Sequence, residues 1–328
     1  MRAVVVGEPG GPEVLELREV PRPTPGVGQV RIRVHGSGVN RADVFQRRGL
    51  YPAPPGWPTE IPGLEVAGVV ESRGPGCRHV EVGDAVMALL GGGGYAEYAV
   101  VHERELLPIP EGLDTVRAGG FPEVFLTAFD ALVVQMGLSG GETVLIHAVG
   151  SGVGTAALQI AREWGARAVG TSRTPWKLDR ATEELGLDVA VEGGDREWAR
   201  EVKEATGGRG ADVILDLVGA AYLEGNQSVL APAGRWIVVG VPGGTRGTLD
   251  LRALMSRRAS ITGTVLRARP LEEKIALARD AARRLLPLVE AGRMGPVVEE
   301  VVPVREVATA HERMESNSTF GSLVLAWD

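Results

Sequence analysis

Apolar and polar positions in the middle of the chain alternate between two patterns. Short apolar runs, typical of buried strands, are separated by longer stretches whose apolar residues recur at helical spacing. The strands predicted in this way begin at Val144 and then cover Ala166–Thr171, Asp188–Val191, Asp212–Val218, Gly234–Gly240 and Ser260–Val265. The predicted helices between them cover Thr155–Trp164, Trp176–Gly186, Asp195–Thr206 and Tyr222–Leu230. Such alternation is typical of parallel βαβ units, so we predict the α/β class, with a doubly wound, six-stranded parallel nucleotide-binding domain.

A glycine-rich turn follows the first of these strands and leads into a helix. Its sequence is Ser151-Gly152-Val153-Gly154. Glycines let the backbone approach a pyrophosphate, and the start of the helix offers unpaired N–H groups and the positive end of its dipole. In the six-residue G-x-G-x-x-G template, Val149 and Ser151 stand where the first two glycines belong. The strand before the turn and the helix after it favour a dinucleotide site over a turn that binds nothing.

The end of the second predicted strand indicates which nicotinamide cofactor binds. In such domains an acid about 20 residues after the glycines indicates NAD, whereas a nearby arginine indicates NADP. The strand here ends Gly170-Thr171-Ser172-Arg173 without an acid, and Lys177 follows in the next helix. A guanidinium can hold a 2′-phosphate with two hydrogen bonds. We therefore predict NADPH; the alternative is that Arg173 and Lys177 are ordinary solvated charges.

The two ends of the chain have a different composition from the middle. The first part is rich in short apolar runs separated by Gly and Pro, which predicts a β-rich, partly open barrel. Near the C-terminus, strands are predicted at Val297–Val304 and Ser322–Trp327, with a helix at Val304–Glu315. We therefore predict a catalytic domain formed by residues 1–122 and 266–328, with the nucleotide domain, residues 123–265, inserted between them.

Composition narrows the classes of function. The 328 residues are 44% hydrophobic and 23% charged, with a net charge of −7 and no long basic run, which argues against nucleic acid as the main partner. No stretch predicts a signal peptide or membrane span. The single Cys77 excludes an intramolecular disulfide and is typical of the cytoplasm. The five histidines lack ligand spacing, so no metal site is predicted.

Several segments, in a fixed order, connect the chain to a known family. They are Asn40-Arg41-Ala42-Asp43, Arg48–Gly56, Pro62–Gly68, Gly83–Leu90, Gly93–Tyr98, Leu126–Phe129 and the Ser-Gly-Val-Gly turn. Over essentially its whole length the chain resembles the zinc-free, zeta-crystallin-like quinone oxidoreductases of the medium-chain dehydrogenase/reductase superfamily, and most of all their p53-inducible type. The resemblance implies a GroES-like catalytic domain around the nucleotide domain.

The resemblance also implies roles for individual residues. Asn40 stands where zinc-dependent relatives have a cysteine ligand, and Gly63-Leu64-Glu65 where they have Gly-His-Glu. Asn40, Asp43 and Tyr51 would line the substrate cleft as catalytic residues. The implied cofactor-binding residues are Thr127, Ser151, Gly152, Val153, Gly154, Arg173, Lys177, Gly240, Val241 and Leu266, with Ser316–Ser322 approaching the nicotinamide. In one departure, Glu192 replaces a tyrosine that some relatives place near the 2′-phosphate, and an acid there favours a free hydroxyl.

Each of these residues has a structural alternative. Asp43 is also suited to capping or bracing the helix that begins near Asn40. Tyr51 precedes a proline-rich loop and is also suited to packing against it. Glu65 is better suited to a structural partner than to a catalytic base. Thr127 is also suited to capping a helix.

The function that the resemblance implies is NADPH-dependent reduction of a quinone, by hydride or by single electrons. A quinone accepts hydride readily, so positioning accounts for much of the rate without a metal. The alternatives are a 2-enoyl or 2-alkenal reductase on the same scaffold and an NADPH-binding protein without catalysis. The last predicted strand of the nucleotide domain, residues 259–265, is expected to pair with a second copy and form a homodimer.

Overall fold

The computed structural model describes residues 1–194 and 197–327. It divides the chain into two compact units. Met1–Leu126 and Leu266–Asp328 together form one of them, which we call the split unit, and Thr127–Val265 form the other, the middle unit.

The helices and strands follow one another in three segments. The first contains strands β1 (Arg2–Val6), β2 (Leu15–Glu19), β3 (Gln29–Val39), β4 (Glu65–Arg73), β5 (Ala85–Leu89), β6 (Tyr98–His102) and β7 (Leu107–Pro108), helices α1 (Arg41–Arg47) and α2 (Pro122–Phe129), and 3₁₀ helices at Pro12–Val14, Glu103–Glu105 and Arg117–Gly120. The middle segment contains a π-helix (Asp130–Gln135), strands β8 (Thr143–Ile146), β9 (Arg167–Ser172), β10 (Val189–Glu192), β11 (Ala211–Asp216), β12 (Leu230–Val238) and β13 (Ser260–Gly263), and helices α3 (Gly152–Glu163), α4 (Pro175–Leu185), α5 (Trp198–Ala205), α6 (Leu223–Val229, after a 3₁₀ helix at Ala220–Tyr222) and α7 (Leu251–Arg257). The last contains α8 (Leu271–Glu290), β14 (Val298–Pro303), a 3₁₀ helix at Val304–Glu306, α9 (Val307–Glu315) and β15 (Ser322–Ala326).

The middle unit contains the predicted parallel sheet. In the described part of the chain its strand order is β10-β9-β8-β11-β12-β13, and each of the pairings is parallel. The central strands β8 and β11 are in register at Val144 and Val213, and their apolar residues are fully buried. The prediction of a doubly wound, six-stranded sheet is confirmed. Because the strand order reverses between β8 and β11, ligands in such folds bind at the carboxyl ends of these two strands.

Local interactions explain where the observed boundaries differ from the predicted ones. Strand β11 ends at Asp216, before the predicted Val218, because the Asp216 carboxylate accepts the N–H groups of Val218 and Gly219, at 2.8 Å each, and turns the chain. Strand β12 begins at Leu230, earlier than predicted, because Leu230 already pairs with Ala211 ahead of an irregularity in the register. Of the helix predicted at Asp195–Thr206, Trp198–Ala205 is observed, and Asp195 lies outside the described residues.

The split unit is rich in strands, as predicted. Its larger sheet has the order β14-β15-β3-β4-β5-β7, and β6 also pairs with β3. Alternate residues of β3, namely Val30, Ile32 and Val34, are buried in the hydrophobic core of this unit. Strand β14 runs parallel to β15, with α9 in the connection between them.

Helix α8 was not predicted from the sequence. It covers 20 residues and buries Ile275, Ala278, Ala281 and Leu285. Their spacing of three and four residues is the amphipathic pattern that would have revealed this helix. Within residues 1–194 and 197–327, no helix is long and apolar enough to span a membrane.

Candidate active site

The junction between β3 and α1 places Asn40 and Asp43 in a buried polar cluster. The Asp43 carboxylate is fully buried and accepts hydrogen bonds from the backbone N–H groups of Asn40 (2.8 Å) and Gly63 (3.0 Å) and from the Tyr95 hydroxyl (3.2 Å). Burial raises the pKa of Asp43 to about 6, against the opposing effect of these hydrogen bonds. Since both carboxylate oxygens serve as acceptors for the surrounding structure, these contacts match the bracing interpretation of Asp43.

The side-chain amide of Asn40 is oriented by Glu65. Asn40 Nδ2 donates to Glu65 Oε1 at 2.8 Å, and the backbone N–H of Glu123 donates to Glu65 Oε2 at 2.8 Å. Burial raises the pKa of Glu65 well above its usual range. A Cβ at Gly38 would lie 2.0 Å from Glu65 Oε1, so only glycine leaves room for this carboxyl group. The structural role predicted for Glu65 agrees with these contacts.

A chain of buried side chains continues from Asp43 toward Glu315. The Tyr95 hydroxyl lies 3.2 Å from His311 Nε2, and Arg47 Nη1 lies 3.3 Å from His311 Nδ1. Arg47 also forms an ion pair with Glu315. Sequence reasoning assigned no role to Tyr95, Arg47 or His311. The only signal was Tyr95 itself, which lies within one of the segments shared with the family.

Tyr51 lies in the loop after α1 and has a cationic neighbour that the sequence did not reveal. The guanidinium carbon of Arg267 lies 4.7 Å from the centroid of the Tyr51 ring. Burial raises the pKa of the Tyr51 hydroxyl, the positive charge of Arg267 lowers it, and Glu123 raises it. The neighbouring Leu266, predicted to contact the cofactor, is buried in the split unit.

In the middle unit, the predicted phosphate-binding turn connects β8 to α3. Ser151 is the N-cap of α3, and its Oγ accepts the N–H of Gly154 at 3.1 Å. A Cβ at Gly154 would lie 2.4 Å from the carbonyl oxygen of Ala148 and 2.6 Å from that of Val149. The third glycine of the template is therefore needed for close packing of helix and strand, as its position suggested. A helix N-terminus at the point where strand order reverses fits a pyrophosphate group.

The charges proposed for the 2′-phosphate lie at the carboxyl end of the neighbouring strand. Arg173 follows β9 and is exposed, whereas Lys177, in the first turn of α4, is 8% exposed, with its Nζ 5.4 Å from the Trp176 ring centroid. Glu192 ends β10 directly beside Ser172. The structure therefore brings two cations and one acid to the same edge of the sheet.

The remaining predicted cofactor residues differ in exposure. Gly240 and Val241 follow the carboxyl end of β12, where Val241 is 44% exposed. Thr127, in the last turns of α2, is buried. Within residues 1–194 and 197–327, no group of three or more His, Cys, Asp or Glu side chains is placed to hold a metal ion.

A second buried network, also without a predicted role, lies beneath this edge. His147 Nδ1 lies 2.8 Å from Thr171 Oγ1, and its Nε2 lies 2.6 Å from Asn226 Oδ1. Asn226 and Trp236 both donate to Asp216 Oδ2 at 3.1 Å. Burial lowers the pKa of His147, so the ring is neutral at pH 7. This network connects the ends of β8, β9 and β11 and fixes the loops that follow them.

Comparison with known families now defines the class of protein. Residues 26–111 match the family "Alcohol dehydrogenase GroES-like domain", and residues 152–281 match "Zinc-binding dehydrogenase". Together with the two units, these matches define an oxidoreductase of the medium-chain dehydrogenase/reductase superfamily.

Individual relatives cover nearly the whole chain. The chain is 34% identical to a human quinone oxidoreductase, covering 99% of this chain and 97% of the relative, and 33% identical to one from Pseudomonas aeruginosa, covering 96% of each. It belongs to the quinone oxidoreductases of this superfamily, as the resemblance predicted.

Solved structures agree with the fold. An NAD-dependent alcohol dehydrogenase superposes with a TM-score of 0.89 at 35% identity, and a mycobacterial quinone oxidoreductase with 0.84 at 30%; both cover 100% of each chain. The CurK enoyl reductase superposes with 0.85 at 26%, covering 99% of this chain and 98% of its own.

Proposed function

We propose that the protein is an NADPH-dependent quinone reductase that works without zinc. The observation that carries this proposal is the Asn40 amide, which Glu65 holds at 2.8 Å. By the family resemblance, Asn40 stands where zinc-dependent relatives have a cysteine ligand. An amide oriented by a buried carboxyl group is suited to hydrogen bonding with a carbonyl oxygen and poorly suited to binding zinc. The family relationship to quinone oxidoreductases supports the acceptor class.

The proposed cofactor site uses the carboxyl edge of the middle sheet. The α3 N-terminus from Ser151 to Gly154 would bind the pyrophosphate, and Arg173 and Lys177 the 2′-phosphate. Thr127, Gly240, Val241 and Leu266 would contact the nicotinamide half. A related mycobacterial protein was solved in complex with NADPH, which supports this choice.

The domain boundaries after residues 122 and 265 and a cytoplasmic location are part of the same proposal.

In the proposed mechanism, residues of the split unit act on the acceptor. When bound, NADPH supplies the hydride, or single electrons in a one-electron reaction. Asn40 and Tyr51 donate hydrogen bonds to the acceptor oxygen as it gains negative charge. The Tyr51 hydroxyl supplies a proton to that oxygen and regains one from water, while Asp43 braces Asn40 through its carboxylate.

A cofactor and acceptor panel tests this function. Purified protein is mixed with NADPH or NADH and with quinones or 2-enones, and absorbance is followed at 340 nm in the presence and absence of a chelator. We expect quinone turnover that prefers NADPH and is unchanged by the chelator. Loss of activity with the chelator would contradict the metal-free mechanism, and equal use of both cofactors would contradict the roles of Arg173 and Lys177.

A second candidate function is reduction of a C=C bond conjugated to a carbonyl. The likeness to the CurK enoyl reductase favours it, and the same hydrogen-bond donors would hold the carbonyl. Turnover of 2-enones without turnover of quinones would establish this alternative. Binding of NADPH without turnover of either class would instead indicate a non-catalytic binding protein.

We also propose a homodimer formed through residues 259–265. Strand β13 is one of the two edges of the middle sheet among the described residues, with Ser260 and Gly263 exposed. Leu251 and Met255 of α7 are 64% and 75% exposed, one helical turn apart. An exposed strand edge and apolar side chains in the same unit are suited to pairing with a second copy. Light scattering during gel filtration tests this, and a monomer at micromolar concentration would contradict it.

A further inference from the structure

Among residues 1–194 and 197–327, Arg267 is a buried cation without a carboxylate partner. It is 4% exposed, its Nε donates to the Gly91 carbonyl oxygen at 2.7 Å, and its Nη2 donates to Gln46 Oε1 at 2.8 Å. Its Nη1 is buried and, among the described residues, has no hydrogen-bond partner. A buried charge that is left unpaired is costly, so its retention calls for a compensating interaction.

Other buried cations of the split unit are paired in the usual way. Arg47 forms an ion pair with Glu315, and Lys274 one with Glu105 at 2.7 Å. Arg267 instead places its guanidinium against the ring of Tyr51, at 4.7 Å from the centroid. A guanidinium at this distance from an aromatic face is attracted by it, more strongly when water is excluded.

Burial, each other's charge and nearby carboxylates shift the pKa values of Arg267 and Tyr51. Burial lowers the pKa of Arg267, whereas Tyr51, Asp43 and Glu123 raise it. For Tyr51, burial raises the pKa, Arg267 lowers it, and Glu123 raises it. Arg267 is therefore the group that opposes the effects of burial and of Glu123 on the Tyr51 hydroxyl.

We propose that Arg267 is a positioning residue for acceptor reduction, which holds the Tyr51 ring in place and acts with its positive charge on the Tyr51 hydroxyl. This inference rests on the proposed function, in which that hydroxyl donates to the acceptor oxygen. As hydride reaches the acceptor, the Tyr51 O–H bond breaks, its proton passes to the acceptor oxygen, and water returns a proton to the phenolate. The nearby cation stabilises the phenolate while the proton is absent.

A double-mutant cycle tests whether Arg267 acts through Tyr51. The variants are Arg267→Gln, Arg267→Lys, Tyr51→Phe and the combination of Arg267→Gln with Tyr51→Phe. We expect Arg267→Gln to lower kcat about five- to twentyfold with the KM for NADPH unchanged, and Arg267→Lys to restore part of the loss. Combined with Tyr51→Phe, Arg267→Gln should have no further effect. An equal loss in both backgrounds would overturn the proposal.

The pH dependence of kcat separates this role from a structural one. Without the Arg267 charge, the alkaline limb that reports loss of the Tyr51 proton should move to higher pH. A variant that is merely misfolded lowers kcat without moving this limb. Thermal unfolding of each variant checks folding, and Arg267→Lys keeps a cation in place should Arg267→Gln be unstable. An unmoved limb in a folded Arg267→Gln variant would overturn the proposal.

A spectroscopic measurement does not depend on turnover. Tyr51 is replaced by 3-fluorotyrosine, whose lower intrinsic pKa brings titration into a range where the protein stays folded, and its ¹⁹F shift is followed against pH. Arg267→Gln should raise the midpoint. Arg22→Gln, which removes a guanidinium 3.7 Å from the ring of Tyr98, is the matched control and should leave the midpoint unchanged. A midpoint unaffected by Arg267→Gln overturns the proposal, whereas a shifted midpoint in a protein that reduces no quinone overturns only the proposed function.

Discussion

Arg47 donates a hydrogen bond to Nδ1 of His311, at 3.3 Å in the interior of the split unit. A guanidinium has no acceptor, so Nδ1 must be the unprotonated nitrogen of a neutral imidazole. The proton is then on Nε2 and points to the Tyr95 oxygen, 3.2 Å away. Tyr95 in turn directs its own proton to Asp43. The hydrogen bonds therefore run in one direction, from Arg47 to the carboxylate that braces Asn40.

This arrangement predicts that His311 destabilises the fold in acid. Burial and the charge of Arg47 lower the pKa of His311 from 6.5 to about 3. Between these values the unfolded chain binds a proton that the folded protein does not, so the contribution of His311 to stability is lost as pH falls. The free energy of unfolding should decline by up to about 1.4 kcal/mol per pH unit from this residue alone. Urea unfolding at several pH values measures it.

Comparing the wild type with His311→Gln separates the contribution of His311 to the pH dependence of stability from the contribution of Asp43. The pKa of Asp43 is raised from 3.8 to about 6, so the folded protein binds the extra proton there, and acid stabilises this group. The variant should have a shallower loss of stability between pH 6.5 and 3 than the wild type. His79→Gln, which changes an exposed histidine, is the matched control. If the free energy of unfolding has the same pH slope in the wild type and in His311→Gln, His311 binds its proton in the folded protein as readily as in the unfolded chain.

Tyr51→Phe should slow acceptor reduction without affecting cofactor binding. Removing one hydrogen-bond donor to a developing oxyanion lowers kcat strongly, here by about ten- to a hundredfold, because Asn40 remains. The measurement is steady-state turnover of a quinone together with NADPH affinity by fluorescence. Tyr98→Phe is the control, because the Tyr98 ring also lies against a guanidinium, that of Arg22, and it should leave kcat unchanged. An unchanged kcat for Tyr51→Phe would restrict Tyr51 to packing in its loop.

Lys177→Gln should reduce selectivity for NADPH over NADH. A charge-assisted hydrogen bond to a phosphate contributes about 1.5–3 kcal/mol, so the KM for NADPH should rise about ten- to a hundredfold. The KM for NADH, which lacks the 2′-phosphate, should change by less than about twofold. Lys203→Gln, in α5, is the matched lysine control. A parallel rise for both cofactors would indicate that Lys177 supports the fold of α4, where it is 8% exposed.

The sheet of the middle unit could be predicted because its signals are local. Each strand is a short apolar run, and each of the first four runs is followed by its own predicted helix, so the order of elements indicates a parallel sheet. The position of Gly154 was also local, because its role depends on the turn that immediately precedes α3. Boundaries were less accurate where a side chain ends a strand, as Asp216 does.

The buried network of the split unit could not be predicted because its members are distant in sequence. In the sequence, the whole middle segment separates Tyr51 from Arg267, and it also separates Arg47 from His311, although each pair is in contact. No local pattern marks an arginine as buried, since such side chains are usually exposed. Asn40, Asp43 and Tyr51 were found only through motifs shared with the family, and their proposed roles still depend on that resemblance.

Gly154→Ala should impair both folding and cofactor binding. The added Cβ would lie 2.4 Å from the Ala148 oxygen and 2.6 Å from the Val149 oxygen, and both are backbone atoms. Backbone cannot yield as a flexible side chain does, so α3 must move away from β8, at a cost of about 1–3 kcal/mol. The N–H groups proposed to bind the pyrophosphate move with the helix.

Thermal unfolding and NADPH titration measure the two consequences of Gly154→Ala separately. We expect a lower Tm and a loss of NADPH affinity of at least about tenfold, because the turn and the helix start are displaced together. Gly295→Ala is the matched control, since a Cβ there would meet no atom within 4 Å. A variant with a lower Tm but normal NADPH affinity would place the pyrophosphate away from the α3 N-terminus.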